Sequence, residues 1–580
     1  MGLSLSRTQR EKGQYFTPEN IVQAIIGNIV YYLDDPRDND TLSVLDPSAG
    51  EGIFCRTLIQ ILKNKFCSIN IDALDIDPSA LSRAKSLVIN SVKDDRCSVV
   101  FHLKNFLTEF DTENQGTKYD LIISNPPHHA KYSPQEWDKI RKLRPKDVQE
   151  NIPSESALYF VLKSINLLKD RGILSFILPK PFIYSNKWKI FRQLCLTQVR
   201  LLEVFDLANQ FSGQLQEQVA LTLQKISPSL EFRTGIWDPV NEKLAFISTV
   251  KTQNAIRFDN FLVGVTPSEQ KLMEKLLKDH RRIEWTAFRG LSSRFRVKDV
   301  STPLIEKVSL THGFLFPERN YVNEAVPEIK FKRLKQPKII GQRIIAYKTK
   351  PKFQLDLPIW VDSLGVYLTH ETVINIIPPY SSSNDIYAYG ALLQSKFINW
   401  WLQNAVYTKR FVTSKDLDKP YLNKLIIPRL DGDSNSDFRS KIKKMVEKSQ
   451  LPNICLSAKK ESNVDQFFVI GEIFKLYLNE GKELKQLLDE MVNQSIYNQK
   501  NHTSNPFKLM KQIDRFFRTR NVDDLSWLGK QIGIKVNKSY VEGIFGKYSR
   551  MEYVRSIIDE IVFNLYELSQ NEKQIILEGE

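Results

Sequence analysis

The sequence predicts an α/β fold over its first 230 residues, followed by a mixed α+β region and a mainly helical C-terminal part. Three observations predict this. Short apolar runs alternate with helical patterns of about 10–15 residues, the signature of βαβ units on a parallel sheet. A glycine-containing turn joins the first apolar run to the first helix. Beyond residue 230 the alternation stops, and beyond 437 the apolar spacing becomes helical.

The elements follow in order. "SVLDPSAGEG" is a strand ending at Asp46 and a turn holding Gly50 and Gly52. "IFCRTLIQILKNKF" has helical period. "INIDALDID" is a strand ending at Asp75, and Pro78 opens the helix "PSALSRAKSLVINSV". "YDLIIS" is another strand. "ESALYFVLKSINLLKD" is a helix that stops at Gly172, before the strand "GILSFILP". "EQVALTLQKI" predicts one more strand near residue 220. Residues 231–430 form a second region of short apolar runs, and "DGDSNSD", Asp431 to Asp437, is the expected linker to a helical domain at 438–580. There "YVRSIIDEIVFNLYEL" places Val554, Ile557, Ile558, Ile561, Leu565 and Leu568 on one face.

Of the 580 residues, 42% are hydrophobic and 26% charged, and no apolar run reaches the ~18–20 residues that span a bilayer. The first residues, "MGLSLSRTQREKGQYF", lack the apolar core of a signal peptide. Five cysteines, none in Cys-x-x-Cys spacing, suggest neither a disulfide framework nor a zinc site. A cytoplasmic protein without membrane or metal is expected. The net charge is +15, and residues 231–430, with 31 Lys+Arg against 19 Asp+Glu, hold +12 of it. That asymmetry suggests a polyanion partner, most simply nucleic acid; a solvated basic surface is the alternative.

The first strand ends point to a nucleoside site. Gly50 and Gly52 let backbone approach a ligand where the strand meets a helix N-terminus, although a plain tight turn reads the same way. Asp75, some 25 residues on, can accept bonds from ribose hydroxyls, and Ile76 can lie against an adenine. "KNFL", Lys104 to Leu107, closes a third strand. The turn lacks the Gly-x-x-x-x-Gly-Lys-Ser/Thr form that cradles phosphates. A cofactor without a phosphate chain fits better, and S-adenosyl-L-methionine is one.

"YDLIISNPPHH" then carries Asn125 to the same sheet edge. Pro126 and Pro127 stiffen the turn. Asn125 Oδ1 and the Pro126 carbonyl can form paired acceptors for an –NH2 group. Such a pair favours a tetrahedral nitrogen and aims its lone pair at a sulfonium methyl, so alignment and electrostatics supply most of the catalysis.

"SNPPH" resembles the Asn-Pro-Pro-Tyr/Phe signature of amino-methyltransferases, and "LDPSAGEG" resembles their cofactor loop. "GQYFTPENIVQAI", residues 13–25, is similar to the segment preceding that loop in γ-class adenine-N6 DNA methyltransferases of Type II restriction–modification systems. The resemblance covers roughly residues 10–225 and implies a Rossmann-like S-adenosylmethionine-dependent domain ahead of a DNA target-recognition domain. It implies that Thr17, Asp46 and Ser48 line the methionine end of the cofactor. Asp75 would hold the ribose, Ile76 the adenine, and Asn105 and Phe106 would border it, with Asn105 standing where many relatives have Asp. Asn125 and Pro126 would bind the target amine. His128 stands where the family has Tyr or Phe, and would stack on a base flipped out of the duplex; Phe211 would pack on the same base. His129 or Tyr132 could take over the stack.

Between Lys330 and Lys352 lie nine basic residues and no acidic one. Lys330, Lys332, Arg333, Lys335 and Arg343 are the expected DNA contacts. Arg281, Arg282, Arg289, Arg294, Arg296 and Lys298 form a second basic set. The expected activity is transfer of a methyl group from S-adenosylmethionine to adenine N6 in double-stranded DNA, protecting it from a cognate restriction endonuclease. Cytosine-N4 transfer, or a DNA-binding specificity protein without activity, are the alternatives.

Overall fold

The computed structural model describes residues 17–33, 41–91, 95–110, 118–128, 130–143, 155–208, 210, 217–297, 303–308, 315–322, 326–348, 353–355, 357–378, 385–409, 415–430, 432–498 and 538–578. Two compact units emerge, residues 1–270 with 404–413, and residues 271–403 with 414–580.

The first unit is built on a nine-stranded sheet. Helix α1 (Glu19–Ile29) leads to β1 (Thr41–Asp46), α2 (Ile53–Leu62), β2 (Ser68–Asp75), α3 (Pro78–Ser91), β3 (Cys97–Leu103) and β4 (Tyr119–Ser124). Then come α4 (Pro134–Arg141), α5 (Ser156–Leu167), β5 (Leu168–Pro179), α6 (Lys189–Thr197), β6 (Arg200–Ala208) and β7 (Gln218–Gln224). The strand order is β3-β2-β1-β4-β5-β7-β6, continued by β8 (Glu231–Asp238) and β9 (Lys243–Lys251). Strands β1 to β5 are mutually parallel, and β7 runs antiparallel to both β5 and β6. The α/β class read from the sequence is the one observed.

Burial explains the strand sequences. Ile173 to Leu178 of β5 is covered on both faces, which is why the run is apolar except for Ser175, whose hydroxyl bonds that of Thr222 at 3.1 Å. Helix α1 buries Ile21, Val22, Ile25, Ile26 and Ile29, a stripe at helical spacing. This stripe packs into one core with Val44, Leu58, Ile71, Leu121, Ile123 and Phe205.

Two boundaries differ from the sequence reading. The first unit runs to Gln270 instead of ending at residue 230, because β8 and β9 extend the same sheet. No helix separates β7 from β8, so the periodicity there gave no sign of continuation. The chain also returns to this unit at 404–409, where Asn260 Nδ2 donates to the carbonyls of Ala405 and Tyr407 at 3.3 and 2.8 Å. Asp431–Asp437 does not divide independent domains. Within the second unit, helix Asp385–Gln394 packs against helix Asn463–Asn498 so closely that a Cβ on Gly390 would sit 2.8 Å from the Phe474 ring. The described part of the polar stretch, residues 432–437, is exposed, and Asn435 in it caps the helix Ser436–Glu447.

The second unit also holds two four-stranded sheets, one formed by Thr286–Arg289, Val373–Ile377, Lys338–Gln342 and Ile359–Asp362. Among the described residues no helix is long and apolar enough to cross a membrane.

Candidate active site

The site gathers at the carboxyl ends of β1, β2 and β4, where open α/β sheets place ligands. Gly52, at φ +81°, caps α2, and a Cβ there would lie 2.9 Å from that of Ala84. Gly50, at φ +53°, has open space where a Cβ would point. Its amide donates to Asp75 Oδ2 at 2.8 Å, and Asp77 donates to Asp75 Oδ1 at 2.9 Å. The Gly50 N–H is thus spent on Asp75 and not left for a ligand. Each carboxylate oxygen keeps a lone pair, so Asp75 can still accept hydroxyl donors. Burial raises its pKa. Ile76 beside it is 60% exposed, an apolar surface at a polar strand end.

Asp46 is fully buried at the end of β1. Its Oδ1 accepts from Ser124 Oγ at 2.7 Å and from the Ser48 amide at 3.2 Å. Among the described residues its Oδ2 has no hydrogen-bond partner. Burial lifts the Asp46 carboxyl to about 7, against the two bonds that favour its charge, with Asp75 repelling in the same direction as burial.

The turn after β4 leaves two acceptors open. The Asn125 carbonyl accepts from Ser48 Oγ at 3.1 Å, and the Pro127 carbonyl accepts from Ser156 Oγ at the start of α5. Asn125 Nδ2 donates to Thr17 Oγ1 at 3.1 Å. Among the described residues no donor reaches Asn125 Oδ1 or the Pro126 carbonyl between these anchored groups.

Other predicted residues are placed differently. Asn105 Oδ1 accepts from the Leu107 amide at 3.0 Å, and its side chain bonds the Tyr132 hydroxyl. Phe106 is buried against Phe160, with ring centroids 5.0 Å apart, and Lys163 lies over its ring. It borders the strand end from inside the core. His128 is 5% exposed, and its Nε2 lies 3.2 Å from Gln218 Nε2. The imidazole in this state is therefore covered, not presented as an open plane. Phe211 and His129 lie outside the described residues.

Several functional neighbours were not read from sequence. Gln218 and Ser156 touch the turn from 90 and 29 residues away. Lys180, fully buried at the end of β5, pairs with Asp206 at 2.7 Å and Glu217 at 3.0 Å. Burial opposes its charge, but the two carboxylates more than offset this and raise its pKa. Their only sequence signal was a polar residue at each strand end, in "LPKPF", "VFDLA" and "QEQVAL".

Of the basic set, Lys330, Lys332 and Arg333 are exposed on the helix Glu328–Leu334, and Lys335 follows it. Arg333 stacks on Phe288 at 4.0 Å, and Lys330 lies over Phe295 at 5.6 Å. Arg343 lies on a different element, half-buried and facing Asp416 at 3.7 Å. Lys338, in the same run, is buried against Asp362 at 2.6 Å and is structural.

Comparison with known proteins places this geometry. Residues 60–212 match the family described as Eco57I restriction-modification methylase, a span that holds Asp75, Asn105 and Asn125 to His128 but starts beyond the 46–52 turn. The Type II methyltransferase M.HincII of Haemophilus influenzae is 31% identical over 185 residues, covering 30% of this chain and 29% of that protein. The Type II methyltransferase M.AccI of Acinetobacter calcoaceticus is 30% identical over 198 residues, covering 32% of each. A tRNA1(Val) (adenine(37)-N6)-methyltransferase of Flavobacterium psychrophilum is 32% identical over 147 residues, covering 25% of this chain and 56% of that protein. The chain thus matches about a third of the length of its Type II relatives. The segment that carries the Asn125–His128 turn, from residue 60 to residue 212, is thus similar to the Eco57I restriction-modification methylase family.

Proposed function

We propose that the chain methylates the N6 amine of an adenine flipped out of double-stranded DNA, as the modification partner of a restriction endonuclease. The observation that carries this reading is the pair of acceptors left open among the described residues, Asn125 Oδ1 and the Pro126 carbonyl, in a turn whose Asn125 carbonyl, Asn125 Nδ2 and Pro127 carbonyl are engaged. Two acceptors and no donor select an –NH2 group. They hold both its hydrogens, which draws the nitrogen toward a tetrahedral geometry and frees its lone pair. Thr17 keeps the Asn125 amide turned so that Oδ1 faces outward from that bond.

The residues present fit S-adenosylmethionine. A buried carboxylate oxygen without a partner among the described residues, Asp46 Oδ2, calls for a cationic donor such as an amino-acid ammonium. Asp75 would hold ribose hydroxyls and Ile76 would cover an adenine face, over the open space at Gly50. The bound cofactor would supply an electrophilic methyl group on sulfur. Asp46 and Asp75 would fix its two ends, and the proline-stiffened turn would set the angle of the amine. Lys330, Lys332, Arg333 and Lys335 would neutralise phosphates; Arg343, already facing Asp416, would contribute less.

Adenine is favoured over cytosine because the tRNA relative's described substrate is an adenine N6. Transfer of a tritiated methyl group, followed by digestion to nucleosides, tests the reading. The expected product is N6-methyldeoxyadenosine from duplex DNA, none from matched RNA, and loss of about 10²–10³ in rate in Asn125→Ala. Label in N4-methyldeoxycytidine or in RNA would overturn it.

A further inference from the structure

Asp46, Ser124, Ser48 and the Asn125 carbonyl form an unbroken hydrogen-bond chain from the buried end of β1 to the catalytic turn. The links are 2.7 Å from Ser124 Oγ to Asp46 Oδ1, 2.7 Å between the two hydroxyls, and 3.1 Å from Ser48 Oγ to the carbonyl. Each hydroxyl has one proton to give. That restriction makes the chain directional.

When Asp46 is ionised it can only accept. Ser124 must then donate to it, and Ser124 Oγ, left as an acceptor, draws the Ser48 proton across the shorter of Ser48's two contacts. The Asn125 carbonyl loses its donor. When Asp46 carries a proton on Oδ1, the order reverses: Asp46 donates to Ser124, Ser124 to Ser48, and Ser48 to the Asn125 carbonyl. The charge on Asp46 therefore decides whether the peptide preceding Pro126 is held.

What fixes that charge is the group placed against Oδ2, which is buried without a partner among the described residues. Asp75 and the Cys55 thiol are the other ionisable groups whose interaction with Asp46 is resolved, and neither supplies a positive charge. We propose that Ser124 and Ser48 are positioning residues that transmit the occupancy of the Asp46 Oδ2 position to the Asn125–Pro126 turn, so that a bound ammonium selects one arrangement of the turn before the target base arrives. With Asp46 held ionised, the Asn125 carbonyl is already released from Ser48 and base capture no longer has to break that bond, so the two ligands bind with positive coupling.

The proposal rests on the reading of this chain as an S-adenosylmethionine-dependent DNA methyltransferase. Its test separates the two. Sequencing of duplex DNA incubated with the chain and cofactor first maps a methylated site; no modified site would remove the functional reading itself. Duplex carrying that site is then titrated by fluorescence anisotropy with no ligand, with S-adenosylhomocysteine, and with 5′-methylthioadenosine, which keeps the nucleoside and lacks the ammonium. In the unmodified chain S-adenosylhomocysteine should tighten DNA binding by about five-fold or more, and 5′-methylthioadenosine should do so much less. In Ser124→Ala, and independently in Ser48→Ala, the two nucleosides should become equivalent, while each still binds. An ammonium-dependent gain that persists in both variants overturns the relay. So does equal coupling by both nucleosides in the unmodified chain.

Discussion

Replacing Asp46 with Asn gives a stability change whose size follows from burial. The folded protein holds the Asp46 carboxyl at about 7, against an ordinary 3.8. At ~1.4 kcal/mol per pH unit, the charged form is disfavoured by about 4 kcal/mol. The sign follows from proton counting. Between these two values the folded state binds more proton than the unfolded state, so this group lowers stability as pH rises and levels off above about 7. Integration gives roughly 2.5 kcal/mol of loss between pH 5 and pH 8. Asn keeps the acceptor for Ser124 and the Ser48 amide but puts an unpaired N–H group where Oδ2 stood, a fixed cost of ~1–3 kcal/mol at every pH. By pH 5 the carboxyl has already lost roughly 1.7 kcal/mol, so Asp46→Asn should lie near parity at pH 5 and be the more stable protein at pH 8. Native-state hydrogen exchange of the β1 and β4 amides, corrected for intrinsic rates, reads the first unit alone. Glu203, also raised by burial, contributes to both proteins and cancels in the difference, whereas Asp75 loses the repulsion of a charged Asp46 in the variant, which adds to the divergence of the two curves. Parallel stability curves for the two proteins from pH 5 to pH 8 would refute the argument.

Other outcomes follow from the same geometry. His128→Phe keeps a ring but strips the buried Gln218 amide of a partner, so methyl transfer should fall by roughly ten-fold, from ~1–3 kcal/mol. Adding Gln218→Leu should restore most of it in single-turnover assays, whereas His128→Ala should not be restored. Neutralising Lys330, Lys332 and Arg333 should weaken binding to all duplexes and reduce the log–log salt slope by ~0.9 per contact, read by anisotropy against salt. Arg343→Gln should leave that slope nearly unchanged. Gly52→Ala meets both a positive φ and Ala84, and should destabilise the first unit by ~1–3 kcal/mol, measured by hydrogen exchange at α2.

The parts of the site legible in the sequence were those fixed locally. A strand that ends in Asn-Pro-Pro, and a strand that ends in Asp75-Ile76, announce their positions because the strand direction alone brings them to one edge. The glycines at 50 and 52 were legible because positive φ restricts the residue type. What stayed hidden depends on long-range pairing. Gln218 against His128, Ser156 against Pro127, and Lys180 between Asp206 and Glu217 join residues 26 to 90 positions apart. No period records such pairs. The covering of His128 was equally invisible, since exposure is a property of the neighbours. The sheet's extension through β8 and β9 was missed because its connections are turns, and the alternation rule recognises a shared sheet only through intervening helices.

The strand order has a consequence for synthesis. As the chain leaves the ribosome from its N-terminus, β1 to β5 can assemble as soon as residue 179 has emerged, and with them the Asp46, Asp75 and Asn125 edge. Strand β6 comes next in the chain, yet it has no place beside β5. Its neighbours are β7 and β8, so it must wait until residues 218–224 slide in between. Until then β5, largely apolar from Ile173 to Leu178, carries an unpaired edge of backbone groups open to any passing strand. A growing chain halted between residues 200 and 217 would hold the assembled β1–β5 strand ends and an unpaired β5 edge at once. The interval in which a chaperone matters most is thus set by the place of one antiparallel strand.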